Sequence, residues 1–128
     1  MNDNTLLLRH IHPAFVQQGR ITSQAFRPTP KDEQRLSVYD NDQITPQSSY
    51  KHYTEKLKLD SVGVMGVSVT ECKALALSVE PDPTPFPEHV LIDFSAHPKK
   101  AVETKAKQLR AKAEIRDWLY REQLACRE

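Results

Sequence analysis

The segment VGVMGVSV, residues 62–69, is the sequence feature that most constrains how this chain folds. It is rich in β-branched valine and alternates valine with glycine, methionine and serine, a pattern typical of a central β-strand. Gly63 and Gly66 carry no side chain, so a neighbouring backbone can approach this strand closely. The pattern therefore predicts a sheet with this segment as one of its inner strands.

Three other short apolar runs have the length of strands rather than helices. Residues 5–11 end before Pro13, LSVY at 36–39 precedes the turn-like sequence DND, and HVLIDF spans 89–94. These runs predict three more strands.

The stretch between the last two strands contains an ambiguous element and a proline-rich segment. TECKALALSV, residues 70–79, is compatible with a turn of helix followed by a strand around Leu75 to Val79. EPDPTPFP, residues 80–87, has four prolines in eight positions. Because proline fixes φ and lacks a backbone donor, this segment predicts an extended, stiff connector.

Two helices are predicted. Thr45 followed by Pro46 is a helix-start signal, and it predicts a helix over 46–58. The stripe Tyr50, Tyr53 and Leu57 is expected to face the core. Pro98 is expected to open a long C-terminal helix that reaches Leu124. Its core-facing stripe would consist of Val102, Ala106, Leu109, Ala113, Tyr120 and Leu124.

These elements predict an α+β fold in a single domain, residues 1–128. We expect a small mixed sheet of four or five short strands, with the long C-terminal helix packed on one face. A chain of 128 residues with 38% apolar side chains is large enough for one hydrophobic core. Long loops often carry function, so a site is expected near residues 17–35 and the end of the first strand.

Composition excludes several functional classes. The formal charge of +1 gives no global field to attract a polyanion, and no apolar run is long enough to span a membrane. The N-terminus lacks the features of a secretion signal. Cys72 and Cys126 lack the spacing of a disulfide scaffold or a zinc site. We therefore expect a cytoplasmic protein with reduced thiols, no metal, no cofactor and no membrane partner.

The C-terminal helix has a second apolar face, opposite the core stripe. Ala111, Ile115 and Trp118 form it, and tryptophan is a common interface anchor. The chain has no glycine-rich phosphate loop, GxSxG elbow or HExxH motif. The preferred hypothesis is a protein-interaction module or regulatory subunit, of the kind found in toxin–antitoxin or defence cassettes. It would bind another protein through this helix and the proline-rich segment.

An enzyme is the first alternative. Strand alternation would place Arg9 on one face, and His10 and His12 together on the other. Two histidines could act as acid and base on a phosphodiester while Arg9 stabilises the charge, and Ser37 in the next strand could join them. In the competing interpretation, this strand lies at a sheet edge and both histidines are solvated or bonded to backbone.

The order of these residues is similar to the layout of ADP-ribosyltransferases and RES-type folds. In those folds a basic or histidine residue, a serine-bearing strand and a late glutamate line a nicotinamide nucleotide pocket. The resemblance implies a nucleotide-processing site, with Glu71 or Glu88 as the glutamate.

Nucleic-acid binding is the second alternative, suggested by the many lysines and arginines of the C-terminal helix. These residues spread around the polar arc and are interrupted by acidic ones, which favours a solvated helix face. The oligomeric state does not follow from the sequence.

The strings HPAFV, ITSQAF, KDEQRLSVYDND, EPDPTPFPEH and DWLYR resemble a group of small bacterial proteins without an assigned activity. The resemblance covers nearly the whole chain. It implies a bacterial, cytoplasmic, stand-alone protein and assigns no role to any residue.

Overall fold

A computed structural model describes residues 1–28 and 34–121 of the chain. Its main sheet has six strands. Along the chain, a separate two-stranded hairpin lies between the first and the second of these six strands. The six strands are β1 (Leu6–Ile11), β4 (Arg35–Asp40), β5 (Gly63–Ser68), β6 (Ser78–Pro81), β7 (His89–Asp93) and β8 (Tyr120–Arg121). The hairpin consists of β2 (Val16–Gln17) and β3 (Arg20–Ile21).

Within the described residues, three α-helices accompany the sheet. They are α1 (Pro46–Lys51), which continues as a π-helical segment over His52–Lys56, α2 (Val69–Ala74) and α3 (Lys99–Arg116). The predicted α+β class and long C-terminal helix are confirmed. The sheet has the order β6-β7-β4-β1-β5-β8 and is antiparallel throughout, whereas a mixed sheet of four or five strands was expected.

Strand β1 lies inside the sheet, between β4 and β5. It pairs with β5 along its whole length, from Leu6 opposite Ser68 to Ile11 opposite Gly63. Its pairing with β4 ends at Leu8, which lies opposite Tyr39. The two strands therefore separate in the middle of the sheet.

One face of the sheet packs against α3. Val102, Ala106, Leu109 and Ala113 are buried there, as the helical stripe predicts. They join aliphatic side chains of the strands, which alternation directs to this face. The strand residues in this core include Leu7, Ile11, Leu36, Val38, Met65, Val67, Val90 and Ile92.

The prediction that α3 reaches Leu124 is wrong. The helix ends at Arg116, and Asp117 adopts a φ of 71° with its N–H bonded to carbonyls of the last helical turn. The chain then turns back so that Tyr120 pairs with Val64 of β5, as the first part of β8. Leu124 and Cys126 lie outside the described residues.

The two glycines of β5 make room for this returning chain. A Cβ on Gly63 would lie 2.7 Å from the Tyr120 carbonyl oxygen, and one on Gly66 would lie 2.7 Å from Leu119 Cδ1. The predicted close approach of a neighbouring backbone is confirmed at Gly63, whereas the tight contact at Gly66 is with the Leu119 side chain.

Helix α1 and the π-helical segment cover the other face of the sheet. Thr45 caps the helix by accepting a hydrogen bond from the Ser48 N–H at 3.1 Å, which confirms the predicted start. Tyr50 and Tyr53 pack against a small second core formed by Leu8, Tyr39 and Val64. Leu57, expected in the core, is 39% exposed because the helix ends there.

The proline-rich segment forms a hairpin loop rather than an extended connector. Glu80 and Pro81 belong to β6, and the Asp82 N–H bonds to the His89 carbonyl, which closes the loop between β6 and β7. The ambiguous segment 70–79 forms most of α2 and then the start of β6, so the strand begins at Ser78, later than the predicted Leu75. Among the described residues, no helix combines the length and apolarity needed to cross a membrane.

Candidate functional site

A cavity of about 330 Å³ opens where β1 and β4 separate. This volume lies within the range of small-molecule sites. Its polar wall is formed by Arg9, His10, Ser37 and His89, and its remaining wall by aromatic and aliphatic side chains. The cavity therefore combines convergent polar groups with an apolar surface.

A hydrogen-bond chain links Ser37, His89 and Asp82 at this cavity. In the β4–β7 register His89 lies opposite Tyr39, so it is diagonal to Ser37 on the same face. Ser37 Oγ lies 3.1 Å from His89 Nε2. His89 Nδ1 lies 3.1 Å from the Asp82 carbonyl oxygen and 3.3 Å from its carboxylate Oδ2. Ser37 is exposed while His89 is only 8% exposed.

The surroundings of His89 determine its tautomer. A backbone carbonyl can only accept, so the Asp82 carbonyl requires a hydrogen on His89 Nδ1. In the neutral ring Nε2 then carries the lone pair and accepts the hydroxyl hydrogen of Ser37. This arrangement allows Ser37 to lose its proton to His89.

Arg9 fills the gap between the two strands. Its Nε donates to the Ala25 carbonyl at 2.7 Å, and a terminal nitrogen donates to the Ser37 carbonyl at 3.1 Å. The guanidinium thus contacts the β4 backbone at a position where β1 no longer pairs with it. It places a positive charge beside the serine.

His10 also lines the cavity, and strand alternation directs its side chain to the face of the sheet opposite to that of Arg9. It is 4% exposed, and its ring stacks on Tyr53 with centroids 4.2 Å apart. Burial, then the charge of Arg9 and the proximity of His52, lower the pKa of His10 to about 3. The imidazole is therefore neutral near pH 7, and it is a poor general acid there.

Phe86, from the proline-rich loop, covers the site. Its ring centroid lies 5.1 Å from that of His89, 5.0 Å from that of Tyr39 and 4.6 Å from that of His52. Burial raises the pKa of Tyr39 well above its usual value, so its hydroxyl keeps its proton, and it forms a hydrogen bond with His52 Nδ1 at 2.7 Å. The aromatic wall is thus fixed by ring contacts and a hydrogen bond.

Three of the four residues predicted for an enzyme site meet at this cavity, namely Arg9, His10 and Ser37. His12 does not join them. It follows β1, where its Nδ1 accepts the Ala14 N–H at 2.9 Å and caps a 3₁₀ turn. The expectation that the histidine strand lies at a sheet edge is wrong, because β1 is flanked on both sides.

Sequence reasoning missed His89 and Asp82, because no pattern in the sequence connects either residue to Arg9, His10 or Ser37. The available signal was the position of His89 at the start of the HVLIDF strand, a few residues after the acidic Asp82 in the proline-rich segment.

The predicted partner-binding face is not continuous. Ala111 and Ile115 are exposed on α3, and Ile115 is 83% exposed. Trp118 lies beyond the helix end and is half-buried against the core, with Arg121 4.7 Å above its ring. The turn at Asp117 separates Trp118 from the helix face.

Several charged residues of the last helix have structural partners. Arg116 bonds to both carboxylate oxygens of Glu71, and Arg110 lies 3.7 Å from Glu114. Glu71 also completes a capping box at the start of α2 with Ser68. A catalytic role for Glu71 has no support in these contacts. Within residues 1–28 and 34–121, no cluster of three His, Cys, Asp or Glu side chains could hold a metal ion.

No family model, no curated protein and no solved structure matches this chain. The resemblances to small bacterial proteins and to ADP-ribosyltransferases therefore stay expectations. Function is inferred from the site itself.

Proposed function

We propose that this chain hydrolyses carboxylic esters with Ser37 as the nucleophile. The observation that carries the proposal is the hydrogen-bond chain from Ser37 through His89 to the Asp82 backbone carbonyl, with the Asp82 carboxylate 3.3 Å from His89, at a cavity of small-molecule size. A serine is a weak nucleophile unless an adjacent base takes its proton, and a third group must orient that base. His89 and Asp82 have the positions that these two roles require.

The reaction has two steps. Ser37 Oγ bonds to the ester carbon while His89 Nε2 takes the hydroxyl proton, and the alcohol then leaves with that proton. Next, His89 takes a proton from water, whose oxygen attacks the acyl-serine, and Ser37 leaves with the proton. One water is consumed, and an acid and an alcohol are released.

Charge near the serine supports this chemistry. The Arg9 guanidinium donates to the Ser37 backbone carbonyl, so it places a positive charge near the serine, which favours the negative charge that develops on the ester oxygen. The Asp82 carboxylate stabilises the imidazolium that forms on His89. Both charges belong to side chains that are already in position.

The nucleotide or phosphodiester alternative shares Arg9, His10 and Ser37 with this proposal. Phosphoryl transfer commonly needs several cations around the phosphate oxygens. In the described wall of the cavity, Arg9 is the single arginine or lysine. A carboxylic ester, which develops one negative charge, fits this wall better. We expect turnover of p-nitrophenyl butyrate and at least about tenfold slower turnover of bis(p-nitrophenyl) phosphate.

The decisive test is labelling with a fluorophosphonate probe, followed by peptide mass spectrometry. We expect one adduct on Ser37, none in Ser37→Ala, and labelling at least about 100-fold slower in His89→Ala. Ser78→Ala removes an exposed hydroxyl of β6 that lies opposite Asp93, at the other end of β7 from His89, and it should label like the unmodified protein. Labelling that is independent of His89 would contradict the proposal.

The protein-interaction and nucleic-acid hypotheses stay predictions. Exposure of Ala111 and Ile115 is compatible with a partner on α3, but Trp118 cannot anchor that same helix face.

A further inference from the structure

The hydrolysis proposed above leaves one polar group of the cavity without a role. His10 Nε2 is fully buried and has no hydrogen-bond partner among the described residues. A buried polar atom without a partner costs about 1–3 kcal/mol. Because His10 lines the cavity, a ligand bound there can supply the missing partner once a neighbouring ring moves aside from Nε2.

Ser61 determines which hydrogen-bonding group His10 offers. The Ser61 hydroxyl donates its single hydrogen to the Gly63 carbonyl at 2.9 Å. Its contact with His10 Nδ1 at 3.4 Å must therefore use a hydrogen on Nδ1. In the neutral ring Nε2 is then a bare acceptor. It needs an O–H or N–H donor.

The groups around His10 indicate the shape of the ligand that bears this donor. Tyr53 is nearly parallel to the His10 ring at 6°, and the edge of Tyr39 meets it at a centroid distance of 5.0 Å. Leu57 and Leu59, 39% and 47% exposed, complete the apolar wall. Flat apolar groups pack well against such surfaces.

His10 and Ser37 belong to the same side of the cavity. Continuing the β1–β4 register from Leu8 opposite Tyr39 brings position 10 opposite position 37, across the gap between the strands. A single ligand in the cavity can therefore reach both residues.

We infer that the substrate is an aryl-bearing ester whose ring carries an O–H or N–H group that donates to His10 Nε2. This inference rests on the proposed function, because the ester is the group that Ser37 attacks. His10 then acts in substrate selection and takes no part in proton transfer with Ser37.

The test compares matched p-nitrophenyl esters. One set carries a 2-, 3- or 4-hydroxyphenyl propionyl group, and the reference carries a phenyl propionyl group without the hydroxyl. We expect kcat/KM at least about tenfold higher for one hydroxyl isomer than for the reference, since a site built for a hydrogen bond rejects the analogue that lacks it. The methoxy derivative of that isomer cannot donate, and it should behave like the reference or worse.

His10→Phe keeps a ring at this position and removes the acceptor. It should abolish the preference for the hydroxyl isomer. If this variant does not fold, the comparison of the esters on the unmodified protein still decides. Equal kcat/KM for the reference and every hydroxyl isomer would overturn the inference.

Failure of this inference can be told apart from failure of the proposed function. Labelling of Ser37 that depends on His89, without any preference among the esters, overturns only the role of His10. Absence of His89-dependent labelling overturns the hydrolase itself and this inference with it.

Discussion

The two faces of the central sheet are packed by different kinds of side chain. Against α3 the buried residues of the core are almost entirely aliphatic, apart from Phe26, Phe94 and Cys72. Under α1 and the π-helical segment, tyrosine, phenylalanine and histidine rings dominate, and a hydrogen bond joins Tyr39 to His52. Because side chains alternate along a strand, each strand contributes to both faces. One face thus supplies stability, while the other can carry polar chemistry.

Two phenylalanines provide the sharpest comparison. Phe94 is fully buried on the α3 side, whereas Phe86 is half-buried over His89 on the other side. Phe94→Ala should lower the free energy of unfolding by about 3–5 kcal/mol because it leaves a cavity in the aliphatic core. Urea denaturation followed by circular dichroism measures this loss.

Phe86→Ala is the matched control and should cost much less stability, about 1 kcal/mol, since its ring is partly solvated already. It should instead slow the labelling of Ser37, because His89 loses its cover. Equal losses of stability in the two variants would break the contrast between the faces.

Acid should destabilise the polar face through His10. The pKa of His10 is about 3 in the folded chain and 6.5 in the unfolded chain, so the unfolded state binds the proton first as pH falls. The free energy of unfolding is therefore unaffected by His10 above pH 6.5 and falls progressively towards pH 3. The loss is about 3 kcal/mol by pH 4. Urea midpoints at several pH values measure this loss.

His10→Phe isolates that contribution, because the other titrating groups are common to both proteins. The variant should lose distinctly less stability between pH 7 and pH 4. A parallel pH dependence in the two proteins would show that His10 titrates normally.

Substitutions of the two glycines of β5 test the two faces with smaller expected losses of stability. Gly63→Ala would press its Cβ against the Tyr120 carbonyl and the Trp118 ring on the α3 side, and should cost about 1–3 kcal/mol. Gly66→Ala meets mainly the end of the Leu119 side chain, which can rotate away, and should cost less than about 1 kcal/mol. Thermal unfolding of both variants checks the order, and the reverse order would contradict the described path of the returning chain.

Local patterns predicted the elements that local forces determine. Valine alternation identified β5, Thr45 and Pro46 identified the start of α1, and the stripe around Leu109 identified the buried face of α3. The end of α3 was not predictable in this way. It depends on Asp117 in the left-handed region and on the pairing of β8 with β5, which is distant in sequence.

The candidate site also combines features that local sequence predicts with features that depend on distant strand pairing. Arg9, His10 and Ser37 could be selected because two neighbouring strands carried unusual polar residues. Their relation to His89 required the β4–β7 register, and the opening that admits a ligand required β1 and β4 to separate after Leu8. The alternation of side chains within a single strand predicts neither feature.

The proline in β6 has a consequence beyond the loop that it introduces. β6 is the outermost strand on its side of the sheet, and it ends with Glu80 and Pro81, both exposed. Exposed strand edges recruit strands of other chains, which leads to aggregation and fibril growth. Pro81 has no N–H to offer such a strand, and Glu80 places a charge beside it. The residues that open the loop over His89 thus also protect this edge when the protein is concentrated.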